Sequence, residues 1–548
     1  MRVHTVLAAV SMMIVLTSAP AAAQRALDRI QPSVRPPEET QAAPPASQPQ
    51  VDVRIEQEET PSGGPAVMVG AIVLNGLEAL EPADFADVIS SRLGQTIDEA
   101  GLRALAAAVA QEAHVRGFAF ATARIAPQRV SNGVLAIEVD EGRIDEVRLE
   151  GADEPAVRAA LAPLVNGAPV SLGEVERRLL IAGDIDGITI RNSRYLREEE
   201  RGILIVELSR EAVVGTVVLS NEGTRTLGPL QARIEADVNG LLAGDDSLSL
   251  SYTGTPFDPR ELQFGFVRYE KRLGPAGTEL ALTGSASQSR PGAYLREFNL
   301  RGRSWYVAAS VLQPLWRRRT ASLWLQGELG LSRLLQWQDG DLIRDDRTAV
   351  ARGTIYGYAD IAGGRLRSSL RLSQGLGILG ATESGDPLAS RFDADGTFTS
   401  LYAWSEWSAP LGGSFSVRLA AQGQLASEPL LVSEEMSLGG TAFLRGYDWA
   451  ERTGDDGIMG MAELGYDWLN PLGLIPKAQL YAFVDGGEVS NIGSAFGSGS
   501  LASAGGGVRA DLGHSLRGAF EVAVPLSGPR YDTGDETPKL NVWVATTF

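Results

Sequence analysis

The chain has 548 residues, a formal net charge of −19, no cysteine and three histidines. The acidic balance excludes nucleic acid as a partner, because phosphate backbones need a basic face. Without cysteine there are no disulfides and no thiolate metal sites, and the length calls for several domains.

The first residues have the grammar of an export signal. Arg2 and His4 precede an apolar run over 6–16, and Ala21-Ala22-Ala23 supplies small residues for cleavage before Gln24. The run is short for a membrane anchor, and no later stretch reaches the ~18 uninterrupted apolar residues of a spanning helix. Residues 1–23 are therefore assigned to a signal peptide. Residues 24–65 contain Pro32, Pro36, Pro37, Pro44, Pro45, Pro49 and Pro61 among Gln, Glu and Ala. Such a segment buries no core, and a tether is predicted. Pro32 would stop any helix begun at Ala26.

Two units of β-α-α-β-β order follow. The first, 66–142, has a strand over 67–74, helices over 82–92 and 97–115, and a hairpin around Ser131-Asn132-Gly133. In its second helix Leu102, Leu105, Ala106, Val109 and Ala113 recur at helical spacing, and Gly117 ends it. The second unit, 143–210, has a strand over 144–149, helices over 155–164 and 172–182, and strands over 188–195 and 202–208. Each is long enough for a small α+β domain.

From 211 to 548 the helical period gives way to alternation. Leu323, Leu325 and Leu329 face one way, and Ser322, Trp324, Gln326 and Glu328 the other. An apolar face against lipid and a polar face against water is what a membrane barrel requires, and a region of this length holds about 16 antiparallel strands. A soluble sandwich has fewer strands, and glycine-bearing polar faces would leave its core unfilled. The last strand sets Leu540, Val542, Val544, Thr546 and Phe548 on one face. The fold predicted is thus α+β units followed by an all-β barrel.

Gly117-Phe118, Pro127-Gln128, Gly133-Val134-Leu135 and Val139-Asp140-Glu141-Gly142 in the first unit resemble a family pattern, as do Asn221, Gly223, Arg225, Gly228 and Pro229 at the barrel start. So do Leu444-Arg445-Gly446-Tyr447 and, about forty residues on, Phe483, Asp485 and Gly487. In this order the motifs resemble the two-partner secretion transporters (the TpsB class, ShlB/FhaC/HecB-like) of the POTRA-plus-barrel superfamily that includes BamA. The resemblance implies two POTRA domains in the periplasm of a Gram-negative cell and a monomeric barrel among outer-membrane lipids. It implies export, without ATP, of a large unfolded partner protein. It also implies a sixth loop, around 430–456, folded back into the pore, where Arg445 pairs with Asp485. A planar guanidinium matches a carboxylate bidentately, and Glu463 is a second acceptor. A charge inside a barrel is costly unless paired or solvated.

Leu172, Val175, Leu179, Ile188 and Ile190 of the second unit are candidates for a groove in which a client adds a strand to the sheet edge. A family plug helix is not expected here, because the only candidate, 26–31, ends at Pro32. Barrel insertases and assembly factors of the BamA/TamA type are the alternative, although they usually carry more POTRA units. No catalytic residue, cofactor or metal is indicated. His114 and His514 lack a second histidine nearby, and Gly505-Gly506-Gly507 lacks the Lys-Ser/Thr of a phosphate loop, with close strand packing the better explanation. Asp393-Ala394-Asp395-Gly396 misses the calcium-loop pattern, because Arg391 and Tyr402 fall at ligand positions; it is expected to be a solvated loop.

Overall fold

A computed structural model describes residues 51–54, 66–126, 128, 133–198, 201–473, 475–493, 496–513 and 515–548. The signal peptide, the 26–31 segment, most of the tether and His514 lie outside the described residues. The first described strand, β1 (Val51–Arg54), stands apart from the unit that follows it in sequence.

In the first unit β2 (Val67–Met68) and β3 (Ala71–Asn75) precede a short helix, α1 (Ala86–Ser90). Next come β4 (Thr96–Ile97), the long helix α2 (Glu99–Val115), β5 (Thr122–Arg124) and β6 (Val134–Asp140). The predicted start of α2 moves by two residues. Thr96 and Ile97 pair with β2 instead, and Asp98 caps the helix by accepting from the Gly101 amide at 2.8 Å. The sheet runs β3-β6-β5, with β3 parallel to β6, and α2 lays Leu105, Val109 and Ala113 on Leu135 and Ile137.

The second unit contains β7 (Glu146–Glu150), α3 (Pro155–Leu161), α4 (Leu172–Gly183), β8 (Ile188–Glu198) and β9 (Arg201–Arg210). Its sheet order is β1-β8-β9-β7, so β1 completes it from outside. The motif closing the first unit is the joint between the two. The buried Glu141 carboxylate accepts from the amides of Glu78, Ala79 and Leu80 at 3.0, 2.8 and 2.7 Å. Asp140 is bonded by Arg197 of β8, and Gly142 at φ +82° turns the chain. Phe120 packs against Tyr195 at 4.3 Å between centroids, the rings tilted by 30°. The units are locked together by side chains.

From Val213 onward sixteen antiparallel strands close into a barrel. Burial is the reverse of a soluble protein's: Trp305, Val307 and Val311 are exposed, while their neighbours Ser304, Tyr306 and Ala308 are buried. The first strand, Val213–Ser220, meets the last, Lys539–Thr547, over five register pairs from Thr216↔Thr547 to Ser220↔Trp543. Asn221 extends this seam: its side-chain amide donates to Leu540 O at 2.8 Å, and its side-chain carbonyl accepts from the Val542 backbone amide at 2.6 Å. At the other end Phe548 exchanges backbone bonds with Gly215 at 2.8 and 2.9 Å, its ring lying where a Cβ on Gly215 would be. Among the described residues no helix is long and apolar enough to cross a membrane; the barrel strands carry the lipid face.

The second unit is moored to the barrel rim by ions. Arg317, at the end of a barrel strand and fully buried, bonds Asp184 after α4, and Arg178 of α4 donates to Pro275 O at 3.0 Å. Burial raises the Asp184 carboxyl above its ordinary pKa, against the pull of Arg317 and Arg272.

Candidate functional site

Between the barrel strands Phe415–Ala426 and Asp456–Leu469 the chain forms a long loop, 427–455. Its stems pair as a small hairpin, Met436–Leu438 against Arg452–Gly454. Its tip is a tight turn, with the Tyr447 amide donating to Leu444 O at 2.9 Å and Leu444 itself at φ +58°. That turn presents Arg445 to the inner wall. The partners it meets, on strands where Leu480, Val484, Phe520 and Val542 face outward, belong to the inward set. The loop therefore folds into the lumen.

Arg445 is 3% exposed. One terminal nitrogen donates to Glu463 at 2.9 Å and to Glu521 at 3.0 Å, while Nε and the backbone amide reach Asp485 at 3.4 and 3.3 Å. The guanidinium lies 3.4 Å from the Phe483 ring centroid. The fork expected to close bidentately on Asp485 is thus divided among three carboxylates. Asp485 is the longest contact, and Ser503 also donates to it. Arg509 binds Glu463 at 2.7 and 2.9 Å and lies 3.9 Å from the Tyr481 ring. Tyr481 and Asn541 both donate to Glu521 at 3.0 Å.

Gly446 touches the wall. A Cβ there would lie 2.9 Å from Pro525 N and from Ser503 Cβ, and its amide donates to Ser503 Oγ at 3.1 Å. Tyr447, fully buried, accepts from the Ser527 amide and donates to Gly528 O, both at 3.1 Å. Gly487 is crowded by its neighbour strand, with Met459 Cβ 2.6 Å from where its Cβ would be. Gly505 and Gly507 leave room for the Phe483 ring and the Tyr481 hydroxyl, 2.7 and 2.8 Å from the missing Cβ positions. Leu444, Arg445, Gly446, Tyr447, Phe483, Asp485 and Glu463 are brought together in one nest; Glu521, Ser503, Asn541 and Arg509 join it unforeseen.

Two expectations need correction. Val175, Leu179, Ile188 and Ile190 are 0–5% exposed and pack with one another in the core of the second unit, Leu172 lying half-buried against them. Those side chains line no groove, and β1 pairs with the backbone edge of β8 over 193–196. The segment holding Asp393 and Asp395 is a solvated loop only in part, with Phe392 exposed and the two aspartates half-buried. Arg391 is 6% exposed and Ala394 1%. Arg391 donates to Asp455 at 2.7 Å, Glu435 at 3.0 Å and Ile492 O at 2.9 Å. Asp455, fully buried, also accepts from the Leu430 and Ile492 amides at 2.8 Å. The loop stems are clamped as well as the tip, with Arg352 of the wall adding a bond to Glu434 at 3.0 Å. His114 bonds Ala121 O at 2.8 Å, and the described residues hold no cluster able to ligate a metal.

Residues 202–510 match the family model "Haemolysin secretion/activation protein ShlB/FhaC/HecB", and residues 67–142 match the POTRA domain, ShlB-type. The outer membrane transporter CdiB of Escherichia coli is 26% identical over 503 residues, covering 86% of this chain and 81% of that protein. The heme/hemopexin transporter protein HuxB of Haemophilus influenzae (strain 86-028NP) is 21% identical over 471 residues, covering 84% and 83%. The solved structure of CdiB from Escherichia coli superposes with a TM-score of 0.73 at 21% identity, covering 98% of each chain. BamA from Haemophilus ducreyi, lacking POTRA domains 1–3, shares the fold at a TM-score of 0.51 and 12% identity, over 88% of this chain. The chain belongs to the ShlB/FhaC/HecB family of haemolysin secretion/activation proteins. It is an outer-membrane protein-secretion transporter with its POTRA region in the periplasm.

Proposed function

We propose that this transporter exports one large partner protein as an extended chain, received by the two periplasmic units and passed through a lumen whose inner loop is a fixed part of the conduit. No covalent chemistry and no nucleotide are needed: transport is a sequence of weak contacts ending in folding outside. The observation that carries this is Arg445, 3% exposed and divided among Glu463, Glu521 and Asp485. A buried cation with one partner removed is left costly by roughly 3–5 kcal/mol, so such a nest defines one position for the loop. A loop merely resting in the pore would not need three acids. The BamA-type insertase reading has only a shared fold behind it.

The test is Arg445→Ala, read as secretion of the native partner into the medium and as heat-induced unfolding of the barrel. Secretion is expected to fall at least about tenfold, the scale of a few kcal/mol, in a barrel that still assembles but melts earlier. Normal secretion with an unchanged melting temperature would remove the pin from the mechanism. Exchanging Arg445 and Asp485 is a poor alternative, because the carboxylate moved to position 445 would face Glu463 and Glu521.

A further inference from the structure

On the lipid side of the barrel one stretch of wall carries unpaired charge. In the strand Leu300–Arg317 the outward face presents Val311, Val307 and Trp305, and the same alternation then brings Arg303 and Arg301. Arg317 marks the end moored to the second periplasmic unit, so Leu300 marks the end outside the cell. From Arg317 to Arg303 a strand tilted by ~40° climbs roughly 35 Å. The apolar band of such a barrel is ~25 Å tall, which sets Arg303 and Arg301 among the headgroups of the outer leaflet.

Three arginines meet there without acids, in a chain of net charge −19. Arg301 feels Arg303 and Arg290 as like charges, and no carboxylate offsets them. Among the described residues no ion pair joins any of the three to an acidic side chain. Arg301 and Arg303 flank one indole, each guanidinium 5.9 Å from the Trp337 ring centroid. Beside them Arg333 and Arg347 share a single acid, Asp345, at 2.7 and 2.8 Å, which leaves a further positive charge. Exposed arginines elsewhere have partners of their own, as Arg260 has Asp258 and Arg365 has Asp360.

Directly below the arginines the wall is dented. One register row runs Tyr252, Gly265, Ala286, Trp305, so two large rings stand either side of two small residues. The next row toward the periplasm is Leu250, Val267, Gly284, Val307. The result is an apolar groove of about 640 Å³ facing the hydrocarbon. A Cβ on Gly265 would meet nothing within 4 Å. Between groove and arginines lie Gln263 and Gln288, bonded to each other at 3.0 Å, in the row of Arg303.

We propose that this wall holds a phosphorylated lipid of the outer leaflet, with an acyl chain in the groove at Gly265 and Ala286 and its phosphate among Arg290, Arg301 and Arg303. Guanidinium forks match phosphate oxygens bidentately. Solvation would account for the arginines alone, and loose lipid packing for the groove alone. A phosphorylated lipid is the occupant that uses both, because its two ends are joined as the two halves of this site are.

The test is native mass spectrometry of the full-length protein in detergent, titrated with bisphosphorylated lipid A or with the same lipid stripped of phosphate. The phosphorylated form is expected to bind the native chain at least about tenfold more tightly than the stripped form. Arg301→Gln/Arg303→Gln should lose about that factor, the scale of lost charge-assisted forks. Arg318→Gln/Arg319→Gln, which removes two arginines at the periplasmic end, should bind as the native chain does. Gly265→Leu, which fills the groove and keeps every arginine, should weaken binding at least about threefold. An unchanged melting temperature without lipid shows that each variant is folded, and the comparison of the two lipids on the native chain needs no variant. Equal binding of both lipids, or native affinity in Arg301→Gln/Arg303→Gln, overturns the proposal. Native affinity in Gly265→Leu removes the seat of the acyl chain and overturns it too. So does displacement of the lipid by an equal concentration of inorganic phosphate, which would make the patch a site for free anions.

Discussion

Arg445 and Arg391 are both buried arginines facing three carboxylates, and they hold the same loop in opposite senses. At the tip the loop brings the cation, and strands of the wall bring the acids Glu463, Asp485 and Glu521. At the stems the loop brings Glu435 and Asp455, and a different loop brings Arg391, with Asp393 at 3.3 Å beside it. The tip's arginine is thus fastened to rigid strands, and the stems mainly to another loop, with a single wall arginine, Arg352, added at Glu434. A charge held by strands is fixed to the register of the barrel, whereas one held by a loop is only as fixed as that loop. The tip should therefore govern transport and the stems should govern closure of the outer mouth.

The largest effect expected comes from breaking both attachments. Arg445→Ala with Arg391→Ala takes a buried arginine from six carboxylates, of which Glu463 alone keeps a second, Arg509, at ~3–5 kcal/mol for each broken buried pair. The loop should leave the lumen, and single-channel conductance in planar bilayers should rise severalfold. Arg391→Ala alone should expose 376–398 and the stems to added protease while keeping secretion within about threefold of native, a change under ~1 kcal/mol. If Arg391→Ala abolishes secretion as fully as Arg445→Ala, the division between tip and stems is wrong.

The two regions also differ in how far the sequence reveals them. The tip turn, Phe483, Asp485 and Glu463 stand in motifs whose order is informative, and the period-2 alternation exposes the barrel around them. Glu521, Ser503 and Asn541 are silent, because each is one more polar residue on an inward face. Only barrel closure brings Glu521 to Arg445 across 76 residues. Arg391 is harder still: its partners are 44 and 64 residues away in another loop. Nothing local separates a buried Arg-x-Asp from a solvated one. β1 escapes for a different reason, since a four-residue alternation inside a proline-rich stretch is below what periodicity resolves. The client-groove residues mislead through their direction. Their helix and strand exist, but apolar side chains at those positions fill the core of a small domain before they line a surface.

A smaller effect is expected from Gly446→Ala, which tests whether the tip is set by shape as well as charge. The added methyl would lie 2.9 Å from Pro525 N and Ser503 Cβ, atoms of the wall that cannot swing aside. Overpacking of this kind costs ~1–3 kcal/mol. The barrel should melt several degrees lower, with secretion reduced but measurable. Unchanged melting would mean that the tip has slack, and that charge alone sets its position.

The smallest effect should come from Tyr447→Phe. The ring is fully buried and stays in place, so the packing term is unchanged. What is lost is the hydroxyl's bonds to the Ser527 amide and Gly528 O, at 3.1 Å each. Ser527 Oγ keeps its bond from the Ala502 amide at 2.7 Å, and these groups are only partly buried, so water is available to them. A net loss of ~0.5–1.5 kcal/mol follows, visible as a small fall in melting temperature with near-native secretion. Should Tyr447→Phe instead match Arg445→Ala in the secretion assay, the hydroxyl rather than the guanidinium would be the fixing point of the tip. The contrast between a tip held by charge and stems held by a neighbouring loop would then have to be drawn again around the 526–538 segment that receives it.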